Sequence, residues 1–60
     1  MDNMEWVDRN NESELIRDGV TVARVVAGRD RQWWIHMHGQ QWPKEHRDVA
    51  KAAVEKEVGK

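Results

Sequence analysis

The 60-residue chain contains no cysteine, no phenylalanine and no tyrosine, and it has a single proline. Without cysteine, no disulfide can stabilise a domain this short, which would bury only about 60% of its unfolded surface. No hydrophobic run approaches the roughly 18 residues of a membrane helix, and the N-terminus has no basic-then-apolar signal segment. We therefore expect a cytoplasmic protein that is stabilised by large side chains, by a metal ion or by a second subunit.

Neither sign of charge dominates, because ten basic and eleven acidic residues give a formal net charge of −1. Domains dedicated to nucleic acids are more often clearly basic, so the balance favours a protein partner. Large apolar area is available from four tryptophans, which are Trp6, Trp33, Trp34 and Trp42. Each buried tryptophan would contribute strongly to a small core.

Two glycine-containing turns divide the middle of the chain into β-strands. Asp18-Gly19 has the composition of a two-residue hairpin turn, and a longer turn contains Gly28. Residues 20–26 between them are rich in β-branched valine, as a strand should be. The sequence therefore predicts a three-stranded antiparallel meander over residues 14–38.

A helix is predicted over residues 43–58. Small and apolar residues recur there at helical spacing, and Pro43 suits a first helical turn. The predicted fold class is α+β, with residues 1–60 forming a single small domain in which the C-terminal helix packs on the meander. Residues 1–4 are expected to be disordered, and residues 5–7 would add a fourth strand in the alternative arrangement.

Alternation along the strands assigns two faces to the predicted sheet. Trp33, Ile35 and Met37 share one face and are expected under the helix, with Ala23 and Val25 beside them. Thr21 belongs to the same face, and Val22 to the opposite one. The open face is then formed by Arg24, Trp34, His36 and His38.

Metal binding and catalysis are the less favoured interpretations of these residues. His36 and His38 would point the same way, and His46 or Asp48 would be needed to complete a zinc site. We favour two strand histidines without a metal, and we expect no cofactor. No enzyme is expected, since the chain has no cysteine or glycine-rich phosphate loop and is too small for a pocket of about 300 Å³.

The sequence allows two roles for Trp34 and two roles for the arginines near the turns. Trp34 beside arginine and histidine is typical of an interface anchor, but it would otherwise pack against Trp6 or Trp42. Arg29 and Arg31 at the turn, with Arg24 and Arg17, would contact phosphates or would form a solvated turn.

A pattern that spans most of the chain resembles a class of short, mostly uncharacterised phage and prophage proteins. It is carried by Trp6, Leu15, Asp18, Gly19, Val22, Ala23, Arg24, Val25, Trp33, Trp34, Gly39, Ala50, Val54 and Glu55. The resemblance implies the fold and a mobile-element origin. The element order is also similar to DNA-binding domains of plant ethylene-response factors and to arm-binding modules of phage integrases, which place a three-stranded sheet in the major groove.

The sequence therefore favours a non-enzymatic protein that regulates or inhibits a host or phage protein by contact through the open face. The residues expected to bind are Arg24, Arg29, Arg31, Trp34, His36 and His38. A homodimer through the same face is a further alternative. A DNA-binding accessory module is the alternative function, although the chain lacks the run of basic and aromatic residues that the DNA-binding domains carry along all three strands.

Overall fold

The computed structural model describes residues 3–59, which form five strands and one helix. The strands are β1 (Met4–Asp8), β2 (Glu12–Arg17), β3 (Val20–Ala27), β4 (Trp33–Met37) and β5 (Gln40–Lys44), and helix α1 covers Arg47–Val58. Each strand pairs antiparallel with the next one in sequence, so the sheet is an open meander in the order β1-β2-β3-β4-β5. Within this part of the chain, no helix is both long enough and apolar enough to cross a bilayer.

The architecture confirms an α+β meander with a C-terminal helix, but the sheet is larger than the three or four strands predicted. β1 begins at Met4, within a segment predicted to be disordered, while residues 1 and 2 lie outside the described residues. β5 was not predicted at all, and it contains Pro43. Proline is tolerated there because β5 is an edge strand, where a missing N–H need not break a ladder. The helix consequently begins at Arg47 and not at residue 43.

Two tight turns fix the hairpins. Asp18-Gly19 joins β2 to β3 with φ values of 53° and 83°, as the sequence predicted. His38-Gly39 joins β4 to β5 with φ values of 55° and 73°. Two successive residues at positive φ give the turn whose twist matches that of the flanking strands.

Helix α1 closes the core on one face of the sheet. Val25, Ile35 and Val54 have no exposed surface, and Leu15 is 1% exposed. Ala50 faces the sheet from α1 and is fully buried, so the helix can approach closely. Ala23, Val25, Ile35 and Met37 lie in this core, which confirms their predicted placement. Each large aliphatic side chain buried there contributes roughly 1.5–3 kcal/mol.

Side-chain contacts attach α1 to β4 and to the β1 edge of the sheet. The Arg47 guanidinium lies over the ring of Trp33 in β4, at 4.1 Å from its centroid. At the β1 edge, Lys51 Nζ is 2.9 Å from Asp8 Oδ1, and the buried Ser13 hydroxyl donates to the same oxygen at 2.6 Å. These two donors favour the charged carboxylate and hold the pKa of Asp8 below its ordinary value.

A β-bulge in β3 changes the predicted faces. Leu15 pairs with Ala23 but Ile16 pairs with Thr21, so Val22 is an extra residue. Val22 therefore packs against the core, where the open face was predicted. Thr21 lies on the open face instead. Its hydroxyl donates to Glu14 Oε2 at 3.5 Å, which shows this placement.

Candidate functional site

The face of the sheet opposite α1, called the open face below, carries two adjacent cross-strand rows. Trp34 pairs with Val26 on one side and with Pro43 on the other, which forms an apolar row. The next row is polar and contains Glu14, Arg24, His36 and Gln41. In the part of the chain that the structure describes, no element covers this face.

Trp34 is half-buried on the open face because it lies against Gly28. A Cβ atom at Gly28 would stand only 2.4 Å from Trp34 Cδ1 and 2.6 Å from Nε1. Trp6 and Trp42 pair with the core residues Leu15 and Ile35, so they belong to the helix side. The alternative in which Trp34 packs against Trp6 or Trp42 is therefore wrong.

Glutamates from β2 hold Arg24 in the polar row. Arg24 Nε is 3.6 Å from Glu14 Oε1 and 3.8 Å from Glu12 Oε1, and Arg9 Nη1 reaches Glu14 at 3.4 Å. Glu14 is only 15% exposed, whereas Arg24 is 56% exposed. Both carboxylates contact the guanidinium of Arg24 from β2. More than half of the Arg24 side chain nevertheless stays exposed on the open face.

The open face is divided by charge. Glu12, Glu14 and Glu5 lie on the β1–β2 half, since Glu5 alternates with the core-facing Trp6. Strand β3 contributes the cation Arg24 to the same face, and β3, β4 and β5 contain no acidic residue. A ligand of one sign would consequently be attracted by one half of the face and repelled by the other.

A cleft opens where β3 and β4 part. Their ladder ends at the pair Arg24–His36, and beyond it a cleft of about 420 Å³ lies between β3 and the β4–β5 hairpin. The expectation that so small a chain has no room for a pocket is wrong, because the bulge and the early end of the ladder separate these strands. The polar side chains of Thr21, Arg24, His36, His38, Gln40 and Gln41 line the cleft. None of its described lining residues is acidic.

Protein family models, curated proteins and solved structures give no match to this chain. The functional interpretation therefore depends on the open face and its cleft. Glu14 contacts Arg24 and Gly28 lies against Trp34, but neither residue was predicted to belong to the site. Glycine in a turn after a strand and glutamate in an alternating strand are common, and only the cross-strand register shows what they contact.

His38 does not lie beside His36 on the open face. It occupies the first position of the β4–β5 turn with φ of 55°, so the strand alternation stops at Met37, and its side chain borders the cleft. His46 is the N-cap residue of α1 and follows β5, at the other end of the sheet. Among residues 3–59 no group of three or more His, Asp or Glu residues could hold a metal ion. The less favoured interpretation of His36 and His38 as zinc ligands therefore finds no third ligand among these residues.

The arginines do not form one basic cluster. Arg29 and Arg31 lie in an exposed 3₁₀ turn (Arg29–Arg31) after the end of β3. Arg17 pairs with Val20 at the opposite end of that eight-residue strand, roughly 23 Å away by the rise per residue. The predicted grouping of Arg17 with Arg29 and Arg31 is therefore wrong.

Proposed function

We propose that the protein is a small non-enzymatic binding module, encoded by a phage or another mobile element, which regulates or inhibits a host protein through the open face. The apolar row carries this proposal. Trp34 lies between Val26 and Pro43 on a face that no described element covers, and polar residues surround the row. An aromatic anchor within a polar rim is the usual anatomy of a protein interface.

The dimensions of the face favour a small, transient contact. Five strands at about 4.8 Å spacing and about five residues of length give a flat area on the order of 300–400 Å². A standard interface buries about 800 Å² on each partner, so the proposed contact belongs to the low end of that range. A protein that regulates its partner by covering a site needs to bind at the right position, and it does not need to bury a large interface area.

The division of charge favours a protein over DNA as the partner. A duplex is uniformly negative, and on this face it would meet Glu5, Glu12 and Glu14. A protein segment with both signs of charge can complement both halves of the face.

Support for a non-enzymatic function comes from the position of Ser13, which is the only serine of the chain. Its side chain is fully buried on the helix side and donates to Asp8. It is therefore inaccessible to a substrate in the cleft, which lies between β3 and the β4–β5 hairpin.

Site-specific photocrosslinking tests this proposal. A photoreactive amino acid replaces Gln41 on the open face, and a matched variant replaces Val49, which is 47% exposed on the helix. We expect a nuclease-resistant protein adduct from position 41 and none from position 49. A band at twice the 7.1 kDa mass would instead identify a second copy as the occupant, and equal adducts from both positions would contradict the open-face assignment.

Substitution of the anchor measures its share of the binding. Trp34→Ala should weaken capture of the crosslinked protein by about 30-fold or more, the effect of an interface hot spot of about 2 kcal/mol. Val49→Ala removes an exposed apolar side chain from the helix and should leave capture unchanged. Circular dichroism of both variants shows whether the fold survives, and undiminished capture by folded Trp34→Ala would end the proposal.

A further inference from the structure

The cleft beside the polar row is lined by hydrogen-bond donors. Its described lining includes the guanidinium of Arg24, the imidazoles of His36 and His38, and the amides of Gln40 and Gln41. The carboxylates that contact Arg24, Glu12 and Glu14, do so from the β2 side and are not part of the lining. A cavity with donors on its walls and its carboxylates outside is suited to a negatively charged group.

Arg24 has the geometry that such a group requires. Its side chain is 56% exposed, and its nearest contact to Glu14 is a loose 3.6 Å ion pair at Nε. The planar guanidinium is a fork that can donate two parallel hydrogen bonds to a carboxylate or a phosphate. His36 pairs with Arg24 across the strands, and Gln41 pairs with His36, so further donors stand directly beside that fork.

We propose that this cleft binds a single oxyanion group, a carboxylate or a phosphate, which is carried by the protein segment that docks on the open face. This inference rests on the function proposed above and adds the chemistry of the partner. The polar row and the apolar row are two residues apart along each strand, which is about 7 Å. An extended partner segment would therefore place an acidic or phosphorylated residue two positions from the apolar residue that contacts Trp34.

The cleft can be tested without the partner by nuclear magnetic resonance titration of the full chain. Sodium phosphate and sodium acetate are added separately, each against sodium chloride at the same ionic strength. We expect saturable shifts of the Arg24 side chain, His36 and Gln41, with a Kd on the order of 1–10 mM for the oxyanion that fits. Shifts that follow ionic strength alone, or that do not saturate, would overturn the inference.

Two substitutions of opposite sign separate binding from a structural effect. Arg24→Gln should weaken binding of that oxyanion at least tenfold, whereas Glu14→Gln removes a competing carboxylate and should strengthen it. Arg29→Gln is the matched control, since Arg29 is an exposed arginine outside the cleft. Weaker binding in both Arg24→Gln and Glu14→Gln would mean that the cleft merely depends on their ion pair, and the inference would fall.

The source of the oxyanion is decided with the crosslinked partner. If phosphate releases the partner and chloride at equal ionic strength does not, the oxyanion belongs to the partner segment. Saturable binding without release overturns that assignment and leaves a site for a free anion. If neither anion binds but Trp34 is still required for capture, this inference fails while the proposed function stands.

Discussion

Gly28→Ala is the substitution that tests the position of Trp34 most directly. Gly28 has φ of −115° and ψ of −167°, an extended conformation that alanine adopts without strain. The added methyl carbon would nevertheless stand 2.4 Å from Trp34 Cδ1, where carbon atoms normally keep about 3.5–4.0 Å. The indole must therefore move by about 1 Å or more, and the whole cost of the substitution comes from this one contact.

The expected loss is about 1–3 kcal/mol, the usual cost of forcing a methyl group into a packed site. For a domain of this size, each kcal/mol lowers Tm by about 4–8 °C. Thermal unfolding followed by far-ultraviolet circular dichroism measures that loss. Tryptophan fluorescence should shift to longer wavelength in the same variant, because the displaced indole becomes more exposed to water.

A double-mutant cycle decides whether Trp34 is responsible. In a Trp34→Ala background, Gly28→Ala should lower the free energy of unfolding by close to nothing, since the indole atoms that would clash with the new methyl group are absent. Gly39→Ala is the control, because φ of 73° there penalises alanine while no atom lies within 4 Å of its Cβ. Its cost of about 1 kcal/mol should be the same in both backgrounds. An equal cost of Gly28→Ala with and without Trp34 would refute the placement of the indole.

Two further predictions concern the contacts between the sheet and α1. The Ser13 hydroxyl and the Lys51 ammonium hold the pKa of Asp8 below its ordinary value of 3.8. The stability that the charged Asp8 carboxylate contributes is therefore complete above pH 3.8, and it is lost as the pH falls through the lower pKa of the folded state. Urea unfolding of wild type and Asp8→Asn from about pH 6 to about pH 2 should show a wild-type advantage that disappears in acid, and a constant difference would contradict this origin. Arg47→Gln removes the cation from above Trp33 and the hydrogen bond that Arg47 Nη2 donates to Asn10 O, and it should cost about 1–2 kcal/mol in thermal unfolding. Arg47→Lys should recover only part of that loss, because an ammonium does not stack on the ring as a guanidinium does, and full recovery would show that charge alone matters.

The sequence predicted the parts of the fold that depend on local patterns. Asp18-Gly19 marks its turn because aspartate and glycine tolerate positive φ, and Trp33, Ile35 and Met37 recur at every second position of a short strand. The edge strand β1 was predicted only as an alternative, over residues 5–7, and β5 was not predicted, because an edge strand needs a ladder on only one side. β5 in particular contains a proline and two glutamines, which are poor signals for a strand.

Prediction of the open face succeeded for Arg24, Trp34 and His36, which lie outside the bulge, and their binding role stays a proposal. It failed for Val22 and His38. Nothing in the alternation of residues 20–26 shows where an extra residue interrupts it, and histidine is an uncommon first residue in a tight turn. The cleft was missed for the same reason, since it exists only where β3 and β4 stop pairing.

An open meander leaves two strand edges with unpaired backbone groups, and such edges are where sheets of separate molecules join. The β5 edge carries Pro43, which has no amide hydrogen to donate, and ends with Lys44. The β1 edge has only five residues, and two of them, Glu5 and Asp8, are negatively charged and would repel an identical strand. Edge-to-edge growth is therefore opposed at both sides of the sheet, and the chain can keep an uncovered face for contact without becoming a template for its own aggregation.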